Sequence, residues 1–199
     1  MHSGSLDSRL AAILVDDPIR RRCLEVAHEV CAGVGVGQYL LAAGFVRNAV
    51  WDYLHEQSPA ALNDVDLIYM GPQISAQAAQ KDSDWLTQAR EVERYICSAL
   101  SERMPEVNWE VRDQRRMHLK HGDAPYTNLP EAMAAWPEKE TAIGVRHAAD
   151  GQLDVVSSWG LESLFALKLT PSAAHKLHSF QQRVHSKQWL QRYPRLSLS

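Results

Sequence analysis

Apolar residues recur every three or four positions near both ends of the chain and run together in its middle. The helical spacing over 8–34 predicts one or two N-terminal helices. A continuous apolar run from Tyr39 to Ala43 is typical of a buried strand. The spacing returns to three or four over 46–53, which predicts a helix directly after that strand.

The rest of the chain alternates between strand and helix patterns. Strands are predicted at 64–70 and 107–111, and Ala149-Asp150-Gly151 predicts a hairpin between 143–147 and 152–156. Helices are predicted at 81–103, 130–135, 160–168 and 173–191. This order predicts an α/β (α+β) fold, a mixed sheet with helices packed on it and further helices at the C-terminus.

Length and charge restrict the functional classes. A chain of 199 residues fits a single compact domain, with N-terminal helices over 1–34 and a main domain over 35–199. The net charge of −3 argues against a structural RNA-binding protein, so any polyanion site must be a local patch. No apolar run is long enough to span a bilayer, and the N-terminus lacks a signal-peptide pattern. We therefore expect a cytoplasmic protein without a membrane partner.

Two aspartates at the start of the strand predicted at 64–70 are the first candidates for chemistry. Asp64 and Asp66 are two residues apart, so on a strand they project from the same face while Val65 and Leu67 enter the core. Two carboxylates held this close repel each other, and a divalent cation relieves the repulsion. Oxygen ligands suit Mg²⁺, or Mn²⁺, so the pair predicts a metal site. Asp-x-Asp by itself, however, more often marks a solvated strand end.

A glycine at the preceding strand-to-helix junction strengthens the metal interpretation. Gly44 opens the helix predicted after the first strand, where free backbone N–H groups can bind phosphate. Arg47 can add a guanidinium to the same polyphosphate, and Asn48 follows it. Together with the two aspartates, these residues predict an in-line phosphoryl or nucleotidyl displacement at metal ions.

The same residues resemble a known superfamily. The segment Ala43 to Asn48, followed by Asp64-Val65-Asp66, is similar to the Gly-Gly-x-Val-Arg-Asp and Asp-x-Asp signatures of tRNA CCA-adding enzymes. It resembles more closely a bacterial group of nucleotidyltransferase family proteins, once catalogued as a domain of unknown function. The resemblance covers roughly 35–195 and includes the blocks Ala43–His55, Trp109–His118, Thr141–Arg146 and Trp159–Phe165, with Arg183, Lys187, Trp189 and Pro194.

The resemblance implies a polymerase-β-like nucleotidyltransferase core with a third carboxylate from a neighbouring strand. Glu110 is the first candidate for this metal ligand or base, and Asp154 is the alternative. Arg112 and His118, from a basic cluster at 112–121, are expected to line the cleft, although such a cluster can equally be a solvated loop.

Three positions depart from the family pattern. Ala43 replaces the usual second glycine or serine, Asn48 follows the arginine in place of aspartate, and Asp113 stands where the family has asparagine.

We therefore expect an enzyme that moves a nucleoside monophosphate from a nucleoside triphosphate to a hydroxyl acceptor. That acceptor could be a small molecule, a tRNA end or a protein side chain. The alternative is a non-catalytic nucleotide-binding or regulatory module with the same fold. The last helices carry a periodic positive face that includes Lys176, Arg183 and Lys187, which could approach a polyanion, although a periodic charged face is more often a solvent-exposed surface.

Overall fold

A five-stranded mixed sheet lies at the centre of the computed structural model. Its strands are β1 (Tyr39–Ala42), β2 (Val65–Tyr69), β3 (Trp109–Asp113), β4 (Ile143–His147) and β5 (Leu153–Ser157). They lie in the order β3-β2-β1-β4-β5, with β2 and β3 parallel and every other neighbouring pair antiparallel. The structure describes residues 5–59, 61–62, 64–72, 84–148 and 151–199.

Helices cover both faces of this sheet, so the predicted α/β class with a mixed sheet is confirmed. They are α1 (Leu6–Asp16), α2 (Pro18–Gly33), α3 (Gly44–Leu54), α4 (Asp84–Arg103), α5 (Met117–His121), α6 (Leu129–Ala134), α7 (Glu162–Phe165), α8 (Leu177–Ser186) and α9 (Trp189–Arg192). A small parallel pair joins β6 (Lys168–Leu169) to β7 (Ser197–Leu198). Over the described ranges, no helix combines the length and the apolar character needed to cross a bilayer.

Two apolar clusters occupy the two faces of the sheet. Leu41 and Leu67 point toward α1–α4 and share the larger cluster with Leu10 and Val26, so the N-terminal helices are part of the main core. Leu40 and Ile68 point the other way and pack with Met133 of α6. This alternation along β1 and β2 follows from the two-residue period of a strand.

The N-terminal apolar pattern forms two helices that are separated at Asp17. The Asp17 carboxylate accepts hydrogen bonds from the backbone N–H groups of Ile19 (3.0 Å) and Arg20 (3.1 Å), which caps α2. Pro18 at the first helical position has no N–H to satisfy. The Arg20 side chain returns to form a buried ion pair with Asp17.

Some element boundaries differ from the sequence predictions. The helix predicted over 160–168 ends at Phe165 and gives way to β6, and the helix predicted over 173–191 divides between Ser186 and Trp189. Leu167 and Gln188 have φ of 54° and 52°, a left-handed conformation that ends a helix. The predicted hairpin residues 149–150 and the helix start at 81–83 lie outside the described residues.

Gly144 allows β4 to approach β1 closely, which generates a first prediction. A methyl group at Gly144 would stand 2.8 Å from Cβ of Leu40, closer than real side chains pack. We expect Gly144→Ala to lower the free energy of unfolding by about 1–3 kcal/mol in urea denaturation, because β1 would have to shift. Gly33→Ala is the control, since outside its own helix and its chain neighbours no atom of the described residues lies within 4 Å of a methyl group there. Equal stability of the two variants would contradict this account of the strand contact.

Candidate functional site

The turn from β1 into α3 has an unusual backbone conformation at Ala43. Its φ of 57° and ψ of −121° fall in a region that glycine adopts readily and alanine adopts at a cost of about 1–3 kcal/mol. The Ala43 N–H donates to the carbonyl of Ile143 (3.1 Å), and the Ala43 carbonyl accepts from the N–H of Arg47 (2.9 Å). These bonds hold the strained turn between β4 and the first turn of α3.

The first N–H groups of α3 are available to a ligand. Neither Gly44 nor Phe45 donates its backbone N–H to an acceptor in the described part of the chain. A methyl group at Gly44 would meet only ordinary contacts, the nearest being Nδ2 of Asn48 at 3.5 Å. The free protein therefore has room for a side chain at this position. A helix N-terminus with unused N–H groups and open space beside it is suited to an anion.

Two strands, β2 and β3, place acidic residues beside this turn at the end of β1. Ala42, the last residue of β1, is paired with Asp66 of β2, and Asp66 is paired with Glu110 of β3. Asp64 immediately precedes β2 and is exposed, whereas Asp66 is half-buried and Val65 is fully buried. Asp66 and Glu110 thus lie on the sheet face that carries Leu40 and Ile68, and together with Asp64 they stand at the strand ends next to the start of α3.

The surroundings of Asp66 disfavour the ionised form of its carboxyl group. The pKa of the Asp66 carboxyl is raised to about 6, first by burial and then by the negative charges of Glu110 and Asp64, while the cations Arg47 and Arg112 lower it only in part. The carboxylate is therefore short of positive charge at neutral pH. A bound cation would supply that charge.

Each flanking carboxylate has a hydrogen-bond partner of its own. Nδ2 of Asn108 donates to Oδ1 of Asp64 (2.6 Å), and Nη2 of Arg112 donates to Oε2 of Glu110 (3.0 Å). In the part of the chain that the structure describes, no three ligating side chains converge on one point. Mg²⁺ nevertheless needs only one or two carboxylates, with water and phosphate oxygens completing its shell. The donor set therefore fits such an ion when Asp66 acts with either neighbour.

Arg47 is fixed by the protein on several sides. It is 5% exposed, and its guanidinium carbon lies 4.3 Å from the ring centre of Trp189 and 5.0 Å from that of Trp51. Its Nη1 donates to Oγ1 of Thr141 (2.5 Å), and two other nitrogens donate to Oδ1 of Asn48. Burial lowers the pKa of Arg47 to about 10, so the side chain stays charged at neutral pH. It brings a fixed positive charge under the α3 turn.

The turn and the carboxylates line one cavity of about 370 Å³, which we call the turn cavity. Gly44, Arg47 and Asn48 lie on one side of it, and the acidic residues lie on another. The wall opposite the sheet comes from the C-terminal segment and the loop before β2, and it includes Leu62, Arg183, Lys187, Arg192 and Tyr193.

Sequence reasoning missed the cations of this C-terminal wall. Arg183 and Lys187 are four residues apart on a helical face for which solvent exposure was favoured over an approach to a polyanion, and in the structure both line the turn cavity. Nε of Arg183 donates to Oε1 of the fully buried Glu138 (2.6 Å). The available signal was the aromatic pair Trp189 and Tyr193, which follows these cations and anchors the segment in the core.

The other predicted residues occupy different surroundings. His118 hydrogen-bonds through Nδ1 to the Arg115 carbonyl (2.7 Å) and does not line the turn cavity. Asp154 pairs with Arg146 (3.0 Å) on the far edge of the sheet, separated from β2 by β1 and β4. Asp113 is fully buried and binds Arg115, so its charge is compensated inside the protein.

Comparisons with known proteins agree with the observed fold. A solved structure whose title reads that it "reveals a CCA-adding enzyme head domain" superposes with a TM-score of 0.75 at 24% identity, covering 96% of this chain and 95% of that one. A CCA-adding enzyme solved with CTP gives a TM-score of 0.60 at 11% identity, covering 97% of this chain. The Thermotoga maritima CCA-adding enzyme, solved with tRNA, gives a TM-score of 0.59 at 11% identity, again covering 97% of this chain.

These similarities concern the fold. This chain spans 43% and 42% of the two longer enzymes. Comparison with curated proteins gives no significant match. A family model described as "Nucleotidyltransferase" matches residues 29–198, nearly the whole chain. The predicted polymerase-β-like resemblance is thus confirmed at the level of family and fold, and the chain belongs to the nucleotidyltransferase family.

Proposed function

We propose that this protein transfers a nucleoside monophosphate from a nucleoside triphosphate to a hydroxyl group. The observation that carries the proposal is the pairing of Ala42 with Asp66 and of Asp66 with Glu110, which brings an anion-binding helix start and an acidic cluster into one cavity. An anion site beside a cation site matches a metal–polyphosphate complex. The anion site alone would indicate only phosphate binding, and the acidic cluster alone would indicate only metal binding.

One set of residues in the turn cavity is suited to binding the triphosphate, and another set is suited to binding the metal ion. The N–H groups of Gly44 and Phe45, with Lys187 and Arg192, would hold the triphosphate. Asp64 and Asp66, with Glu110 as a third ligand, would hold Mg²⁺ or Mn²⁺, which would neutralise negative charge on the α-phosphate and on the leaving pyrophosphate.

The proposed reaction forms one bond to phosphorus and breaks one, and it needs no further reactant. The acceptor oxygen forms a bond to the α-phosphorus, the bond from that phosphorus to the α–β bridging oxygen breaks, and pyrophosphate leaves. The hydroxyl proton passes to a carboxylate, for which Glu110 is our candidate.

A non-catalytic nucleotide-binding module is the second candidate. It is favoured by the pairing of Glu110 with Arg112 and by the absence of three converged ligands among the described residues. Such a module would bind nucleotide in a metal-dependent way but release no pyrophosphate with any acceptor.

The central test removes the two aspartates. We expect Asp64→Asn combined with Asp66→Asn to reduce pyrophosphate release at least 100-fold, because neither amide brings the negative charge that holds a metal ion. The assay screens the four labelled nucleoside triphosphates against pooled small alcohols and tRNA. Asp154→Asn, at the far edge of the sheet, is the matched control and should keep its activity. Unchanged transfer in the double variant would rule out this assignment.

The variant Gly44→Ala tests nucleotide binding at the turn without destabilising the fold. The methyl group would occupy the space beside the free N–H groups, so we expect magnesium–nucleotide affinity to fall about tenfold or more in calorimetry. Stability should be unchanged or rise by about 0.5–1 kcal/mol, because alanine is the better helix residue. Gly33→Ala should leave nucleotide affinity unaltered. Retained affinity in Gly44→Ala would show that phosphate does not approach this turn.

The raised pKa of Asp66 generates a stability prediction. Because its folded pKa rises from 3.8 to about 6, the folded protein holds the proton more tightly than the unfolded chain does. The stabilisation is complete below pH 3.8 and is lost as pH rises through 6. Asp66→Asn should therefore raise the free energy of unfolding at pH 8 by roughly 1–2 kcal/mol and change it little at pH 4.

Urea denaturation at both pH values, with and without magnesium–nucleotide, measures this effect. The wild-type protein should gain stability from the ligand, and the variant should gain much less. Equal stability of the two proteins at pH 8 without ligand would contradict the electrostatic account of the site.

A further inference from the structure

A second cavity of about 450 Å³ adjoins the turn cavity. The two share four residues, Ala43, Asp66, Glu110 and Arg183. From these residues the second cavity extends along β3 to α5 and to the start of α8, away from Gly44. We call it the strand cavity. The shared carboxylates therefore stand at the junction of two separate spaces.

The strand cavity carries a surplus of positive charge. Apart from the shared Asp66 and Glu110, all its charged lining residues are cations, namely Arg112, Lys120, Lys176 and Arg183. Lys176 makes only a long ion pair, with Nζ 3.8 Å from the Asp123 carboxylate. Lys120 is exposed and has no ion-pair partner among the described residues. These two lysines can therefore accept a second anion.

The floor of the strand cavity is apolar. Ile68, Met117 and Pro137 line it together with Trp136, whose ring is partly exposed. An apolar floor with cations at its rim selects a molecule that combines an organic body with an anionic group. The volume of about 450 Å³ lies within the range of small-molecule sites.

The geometry of displacement assigns different substrates to the two cavities. In an in-line reaction, the attacking hydroxyl and the leaving pyrophosphate lie on opposite sides of the α-phosphorus. With the β- and γ-phosphates at Gly44 in the turn cavity, the α-phosphorus lies near Asp66. The hydroxyl then has to arrive from the opposite side, which is the strand cavity.

We propose that the strand cavity binds the acceptor and that this acceptor is a small phosphorylated alcohol. Lys120 and Lys176 hold its phosphate, Trp136 contacts its organic part, and its hydroxyl reaches Glu110. This inference rests on the proposed nucleotidyl transfer and follows the same bond changes, with the acceptor phosphate left intact. A long polyanion is a poorer fit, because with a net charge of −3 any site for a polyanion has to be a local patch.

The anion site can be tested with inorganic phosphate as the probe. Nuclear magnetic resonance would follow phosphate added to protein saturated with magnesium and a non-hydrolysable nucleotide analogue, so that the turn cavity is filled. We expect shifts at the amides of Lys120 and Lys176 and at the Trp136 indole. Lys120→Gln combined with Lys176→Gln should weaken phosphate binding tenfold or more. Nucleotide affinity should stay within twofold. Lys168→Gln, at the exposed position of β6, should change neither.

The single variant Lys120→Gln guards against a folding defect, because this side chain is exposed and should be removable without structural cost. It should weaken phosphate binding by at least threefold. Phosphate shifts that avoid all three residues, or that persist in the double variant, would overturn the proposed anion site.

A transfer assay tests the substrate class. Pools of phosphorylated small alcohols and the same alcohols without phosphate are compared by pyrophosphate release in the wild-type protein. We expect release with the phosphorylated pool, and a loss of at least tenfold in the lysine double variant. Equal release with both pools, or faster release with tRNA, would overturn the inference while leaving nucleotidyl transfer intact. Absence of magnesium-dependent nucleotide binding would instead contradict the proposed function itself.

Discussion

The pairing of residues across β1, β2 and β3 is the constraint on which the site depends. Because β1 runs antiparallel to β2, the end of β1 and the turn after it lie beside the start of β2. A shift of one residue would turn Asp66 into the core and bring Leu67 to the site. The apolar residues on both sheet faces oppose that shift, since Leu41 and Leu67 pack under the helices while Leu40 and Ile68 pack on α6. Packing of the core therefore determines the position of the chemistry.

Packing around Trp189 also fixes the position of the C-terminal segment. The Trp189 ring is close to two guanidinium groups, with its centre 4.3 Å from the guanidinium carbon of Arg47 and 5.8 Å from that of Arg183. Nearby, the Tyr193 hydroxyl donates to the buried carboxylate of Asp52 on α3 (2.7 Å). The segment that brings cations to the turn cavity is thus attached to the helix whose N-terminus faces that cavity. Arg47 acts as a structural link as well as a charge.

Local patterns predicted β1, α3, β2 and the shared face of Asp64 and Asp66, because strand and helix periods depend on near neighbours. The third strand was predicted two residues early, yet a shift of two preserves the face, so Glu110 kept its orientation. The family and fold followed from the motif resemblance. The C-terminal wall was missed because its cations meet Gly44 only through tertiary packing. The helices of this segment also end just before Leu167 and Gln188, where no glycine in the sequence indicates a left-handed residue.

The turn cavity holds charges of both signs, and this has a consequence for how ligands bind. Burial and the neighbouring carboxylates disfavour the charged form of Asp66, and the cations Lys187 and Arg192 line the same cavity. A metal ion alone would be attracted by the acids and repelled by these cations. A polyphosphate alone would be attracted by the cations and repelled by the acids. Bound together, each compensates the charges that oppose the other. The strained Ala43 turn, maintained in the free protein by core packing, is then already shaped for a complex of both, so metal and nucleotide should bind cooperatively.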